Sequence, residues 1–167
     1  VVNNAGTMTL SGDENVTTFN ADRGLLDGSG VLTAETYNLS NGAATAAGAD
    51  LGTGTLNSGP GEATLSGNTN ANTINIESGA LSTDGLVQNE RGLITVASEG
   101  TWNVNSSYTY DTLSGEGTVN PGGLNGETFR NENIISPGSA LGTLTIAGDY
   151  IESGVYHAQI LSLIHIS

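Results

Sequence analysis

Cysteine is absent from the 167 residues and so is lysine; the only cations are Arg23, Arg91 and Arg130. Without thiols the chain has no disulfide framework, no thiolate metal site and no cysteine nucleophile. Three cations against 17 acids give a net charge of −14. Nothing here can neutralise a run of phosphates, which excludes nucleic acid as a partner and docking on an anionic membrane. No apolar run is long enough for a bilayer span, so direct membrane insertion is not expected. Residues 1–20 lack the basic and apolar regions of an export signal. Helical periodicity is nearly missing too. The best alanine-rich stretch, residues 42–50 (GAATAAGAD), is cut by Gly48 and has no apolar stripe.

What is present is glycine, 25 residues of it, with abundant Asn, Thr and Ser and a hydrophobic share of 36%. That mixture suits many short strands separated by turns. Strand signals fall at residues 7–10, 16–19, 30–33, 36–39, 54–56, 63–65, 73–76, 93–96, 101–104, 117–119, 133–135, 143–146 and 154–160. Residues 20–30 (NADRGLLDGSG) read as a loop.

A phrase recurs: two alternating apolar residues, a turn with Gly, then another apolar residue. It occurs as Ile74-Asn-Ile76, Gly79, Leu81, as Ile94-Thr-Val96, Gly100, Trp102-Asn-Val104, and as Leu144-Thr-Ile146, Gly148, Tyr150. Ile74 to Ile94 spans 20 residues and Gly79 to Gly100 spans 21, a period in the solenoid range. Residues i and i+2 of a strand share a face, so Ile74 and Ile76 point together, as do Trp102 and Val104. Two inward side chains per strand close no core alone; stacked coils bury them in a column. Leucine-rich repeats would need a denser Leu frame and helices; a sandwich or propeller would need tighter hairpins and more aromatics. The expected fold is all-β: an incomplete stretch of right-handed, single-stranded parallel β-helix, with seven or eight coils over residues 1–160. Stacked Asn and Thr at equivalent turn positions are expected to form hydrogen-bond ladders.

Residues 137–150, PGSALGTLTIAGDY, resemble closely a segment in the last coils of bacterial autotransporter passengers, PG-x-S-x-G-T-L-T-(I/V)-x-G-(D/N)-Y. The matching positions are Pro137, Gly138, Ser139, Gly142, Thr143, Leu144, Ile146, Gly148, Asp149 and Tyr150. Residues 129–136 (FRNENIIS) resemble its F-x-N-x-G-x-I-S lead-in, with Asn133 where Gly is usual, a mild departure because Asn also enters the left-handed region. Tyr37, Leu39, Gly42, Leu51, Gly52, Gly54 and Leu56 match another passenger repeat, and LSGEGTVN at 113–120 is of the same style.

The resemblance implies type V secretion in a Gram-negative bacterium, with display at the cell surface after passage through the periplasm and outer membrane. It further implies an export signal before the passenger and the passenger's own outer-membrane β-barrel after it. A host surface protein or a glycan is the expected external partner, and the terminal coils are expected to be the most stable part. Val1, with the pattern running by residue 6, reads as internal to a longer protein. Residues 161–167 (LSLIHIS) break the Gly-rich style and look like translated adapter sequence; they are set apart from the 1–160 segment.

Chemistry is sparse. His157 and His165 are the only histidines, so a Ser-His-Asp triad has one candidate base and no nucleophile motif. His157 alternates with Tyr156 and is expected at the surface. Parallel β-helices also carry polysaccharide lyases and hydrolases, which makes such an enzyme the alternative. Its carboxylate cluster would come from Asp22, Asp27 and Glu35 beside Arg23, with Asp13 and Glu14 earlier. The echoes of a calcium repeat, Asp27-Gly-Ser-Gly30 and Gly48-Ala-Asp50-Leu-Gly52, are single and imperfect. No catalytic, cofactor-binding or metal-ligating residue is assigned. Trp102 is expected in the column. Tyr108 and Tyr110 are expected on a loop or edge, with a sugar-stacking ladder as the sharper reading. The acids are scattered singly and read as solubilising surface charge.

Overall fold

The computed structural model describes residues 1–122, 129–138 and 142–157. Every strand pairing among them is parallel. The chain winds as an all-β solenoid of about eight turns, and its coils carry strand segments on three ladders.

The first ladder runs the full length. Its inward column is Val2, Phe19, Tyr37, Leu56, Ile74, Ile94, Leu113, Ile135 and Tyr156. Successive steps take 17 to 22 residues, which bears out the period read from the sequence. The second ladder stacks Ala43, Ala63, Leu81, Trp102, Val119 and Ile146. The third stacks Leu32, Leu51, Thr69, Val87 and Tyr108. Between Phe19 and Ile135 the column is closed, and nearly every apolar member is below about 3% exposed. Rungs about 4.8 Å apart let backbone groups of one coil bond those of the next; Ala80 N–H donates to Gly61 O at 2.9 Å and Gly52 N–H to Leu32 O at 2.8 Å.

The pairings explain the one-residue mismatch in the repeat. Ile74 sits over Ile94 and Gly79 over Gly100, with a bulge after Ile76 that absorbs the extra residue. The third copy of the phrase is in a different phase: Ile146 stacks on Val119 in the second ladder, and Tyr150 pairs with Phe129. Similar wording therefore marks two different faces of the solenoid.

One loop reading is corrected: residues 20–30 hold the strand Leu25–Gly28; residues 42–50, rejected as a helix, contribute Ala43–Thr45 and most of Ala49–Leu51. Local propensity there is poor for strands; the flanking coils supply the hydrogen bonds and cover Leu26, Ala43 and Ala49. Gly54 shows how closely coils approach. Its φ is +133° and a Cβ would lie 2.0 Å from Ala34 O. Residues 158–167, including the set-apart tail, lie outside the described residues.

Leu56→Ala should cost about 2–4 kcal/mol. Gly54→Ala should lower the urea midpoint as well, because it adds a clash to an unfavourable φ. Urea unfolding followed by circular dichroism checks both; a Gly54→Ala midpoint equal to that of the parent chain contradicts the close approach.

Candidate functional site

The outward face of the first ladder is the most regular surface of the molecule. Each inward residue is flanked by two outward ones. The pairs are Thr18 and Asn20, Thr36 and Asn38, Thr55 and Asn57, Thr73 and Asn75, then Leu93 and Thr95, Thr112 and Ser114, and Ile134 and Ser136. A Thr-apolar-Asn triplet thus repeats on four consecutive rungs. None of the fourteen flanking side chains is charged, in a chain with 17 acids; Asp22, Glu35, Glu77 and Glu116 stand at the margins.

The asparagines are locked to one another. The Nδ2 of Asn20 donates to Oδ1 of Asn3 at 2.7 Å, Asn38 to Asn20 at 2.7 Å, Asn57 to Asn38 at 2.9 Å and Asn75 to Asn57 at 3.0 Å. Thr95 and Ser114 continue the rank with their hydroxyls 3.4 Å apart. A second, shorter ladder joins Ser82, Asn103 and Asn120. The ladders expected from composition exist, but on strands rather than at turns. Strands bring like residues into register one rung apart, which turns do not require. Sequence spacing alone held the signal: Thr18, Thr36, Thr55 and Thr73 each precede an inward apolar residue and an Asn by the same steps.

Beside this face, at the corner where Glu14–Asp22 and Gly30–Ser40 bend, lies an open groove of about 770 Å³. Asn15, Thr17, Thr33, Glu35, Thr53 and Asn72 line it, drawn from four successive coils. It directly adjoins the Thr rank: Thr17 precedes Thr18, Glu35 precedes Thr36 and Asn72 precedes Thr73.

The aromatic residues lie elsewhere. Trp102 is buried as expected, and its Nε1–H donates to Thr83 Oγ1 at 3.1 Å. The tyrosine expectation holds in part. Tyr108 and Tyr110 belong to the strand Tyr108–Gly115, at the last described rung of its ladder; Tyr108 is half-buried, but Tyr110 is 2% exposed. Tyr108 stacks on Phe129 at 4.8 Å and meets Trp102 edge-on, while Tyr110 donates to Asn131 Oδ1 at 2.9 Å. Tyr108 and Tyr110 stack against Phe129 and against each other, which occupies their ring faces with neighbouring rings. Asn131, fully buried, passes the network on to Glu152 Oε1 at 2.7 Å. Burial raises the Tyr110 phenol well above its ordinary range, and neighbouring Tyr108 adds to this. Burial also raises Tyr37, against hydrogen bonds with the backbone of Ala34 and Gly52.

The passenger-like segment has a structural role where it is described. Pro137 ends the strand Ile134–Pro137 opposite Gly115. A Cβ on Gly138 or Gly142 would press into the Glu116 side chain, within 2.6 Å and 2.5 Å. Thr143 is exposed, Leu144 and Ile146 pack against the core, and Gly148 lies against Pro121. Asp149 O accepts from Phe129 N–H at 2.9 Å, and Tyr150 pairs with Phe129. Ser139 lies outside the described residues. Asn133 keeps a negative φ, so it does not replace Gly by entering the left-handed region. Instead its side chain donates to Tyr110 O.

Of the candidate enzymatic residues, Asp13, Asp22 and Asp27 are bonded within the chain, whereas Glu35 faces the groove. Asp22 accepts from Asn41 Nδ2 at 2.9 Å and lies 3.7 Å from Arg23, and Asp27 accepts from Gly28 N–H at 2.7 Å. Asp50 accepts from both Asn68 N–H and Nδ2. Among the described residues no three metal-ligating side chains converge. His157 is exposed. Comparison with family models, with curated proteins and with solved structures gave no match.

Asn38→Ala removes one donor and one acceptor from the ladder and should cost about 1 kcal/mol, read as a lower urea midpoint. Alkaline pH gives a second check. Tyr37 and Tyr110 have raised pKa values in the folded chain. Their contribution is complete below about pH 10, where unfolded phenols begin to ionise, and is lost as pH rises further. The urea midpoint should fall above about pH 10, and fall less steeply in Tyr110→Phe. A flat profile contradicts buried phenols.

Proposed function

We propose that the chain is a stretch of an autotransporter passenger, a rigid rod displayed outside a Gram-negative cell for presentation and binding rather than catalysis. The observation that carries this reading is the closed column from Phe19 to Ile135, its rungs paired in parallel, under a polar outer surface without lysine. A coil in such a stack is stable only against its neighbour, so the chain can cross a membrane extended and fold coil by coil as it emerges. The absence of cysteine leaves nothing to cross-link the chain prematurely in an oxidising periplasm. The net charge of −14 keeps a long, glycine-rich surface soluble. The resemblance of residues 137–150 to terminal passenger coils points the same way, and implies an outer-membrane β-barrel as covalent partner.

Display is testable directly. Placed between an export signal and an outer-membrane translocator barrel, the chain should reach the surface of intact cells, label with antibody and resist mild protease there. Retention in the periplasm or rapid digestion at the surface contradicts the proposal. A polysaccharide-acting enzyme on the same scaffold is the alternative; reducing-sugar release abolished by Asp22→Ala would favour it.

A further inference from the structure

We infer that the corner groove of the first four coils is a binding site for a neutral, linear polysaccharide laid along the rod axis. This deepens the reading of the chain as a displayed binding rod and rests on it. The groove offers Asn15 and Thr17 on one coil, Thr33 and Glu35 on the next, Thr53 on the third and Asn72 on the fourth. Each coil therefore presents at least one hydroxyl, amide or carboxylate, at a rise of about 4.8 Å. A β-1,4-linked hexose chain advances by roughly one ring per coil, each ring turned over relative to the last, so hydroxyls of alternating rings can meet the polar side chains of successive rungs.

Charge selects the class. No basic side chain lines the groove; one carboxylate, Glu35, does, and Val1 also borders it. An anionic polysaccharide would meet repulsion from Glu35 and from the surrounding net negative charge, with no basic side chain to offset it. A neutral glycan meets amides and hydroxyls that both donate and accept, as its own hydroxyls do. The volume of about 770 Å³ lies in the range of small-ligand sites, about 300–1,000 Å³, and the groove is open, so a longer chain can continue past either end. The adjoining Thr18, Thr36, Thr55 and Thr73 extend the hydrogen-bonding surface, and the locked Asn ladder behind them holds that wall rigid. Pre-ordered side chains lose little entropy on binding, which favours weak contacts summed along a polymer. Most glycoside hydrolases use two carboxylates flanking the bond; the groove lining supplies one, Glu35.

The test is calorimetric titration of the intact chain with β-1,4-glucan and β-1,4-mannan oligosaccharides of increasing length, and with oligogalacturonate as the anionic counterpart. Affinity for at least one neutral series should rise by about fivefold per sugar up to four sugars, the worth of one net hydrogen bond per rung, and then level off. Thr17→Val with Asn72→Ala, two exposed positions, should weaken binding at least tenfold, whereas Ser114→Ala should leave it unchanged. No binding of either neutral series overturns the inference. So does an affinity independent of length, equal binding by the double variant, or tighter binding of oligogalacturonate. Circular dichroism of the same samples separates the two claims: an intact β signature without glycan binding removes the groove assignment and leaves the rod.

Discussion

The hydrogen bonds that join each coil to the next are the constraint from which the rest of the molecule follows. A strand of three or four residues has too few internal contacts to be stable, and its backbone groups would be unpaired in a buried setting. Stacking in parallel satisfies those groups and places like side chains one rung apart. The column from Phe19 to Ile135 closes because Tyr37, Leu56, Ile74, Ile94 and Leu113 each cover the residue before and are covered by the one after. Glycine at Gly54 is part of the same constraint, since a side chain there would collide with the backbone of the previous coil.

Register propagates the same order outward. Once inward residues are aligned, outward ones must be, and Asn20, Asn38, Asn57 and Asn75 find each other without any further device. The result is a polar surface whose amides are hydrogen-bonded to one another from coil to coil. Charge is confined to its margins, where Asp22 is bound by Asn41, while the centre carries hydroxyls and amides. The shape of the stack comes from repetition, and its outward face lengthens with the number of coils. Near the last coils aromatic rings cluster: Trp102, Tyr108, Tyr110 and Phe129 pack on one another, and Asn131 accepts from Tyr110 and donates to Glu152.

Legibility in the sequence followed the strength of the alternation. The strands around Ile74, Ile94 and Trp102 were readable because branched apolar residues alternate with polar ones, and the spacing of 20 and 21 residues encoded even the bulge after Ile76. Leu25–Gly28 and Ala43–Thr45 were not readable. Their residues prefer other states, and only neighbouring coils force them into strands. Tyr110 was misplaced for a related reason: Ser and Asp around it suggest exposure, whereas Phe129 and Asn131 of the next coil bury it. The groove was equally hidden, because its lining comes from four coils and only Glu35 had been singled out. The outward ladder was partly legible: the Asn content announced it, but its position on strands emerged from the register.

The account stands or falls on parallel stacking in this register, and a chain without cysteine allows a direct test. Thr55 and Thr73 are rung partners in the structure, at the separation of about 4.8 Å typical of paired strands that a disulfide can bridge. Oxidation of Thr55→Cys with Thr73→Cys should give near-complete intramolecular cross-linking with the β signature retained, while Thr55→Cys with Thr64→Cys should remain reduced. Efficient cross-linking of 55 with 64, as a hairpin would give, and none of 55 with 73, would contradict the solenoid and everything built on it.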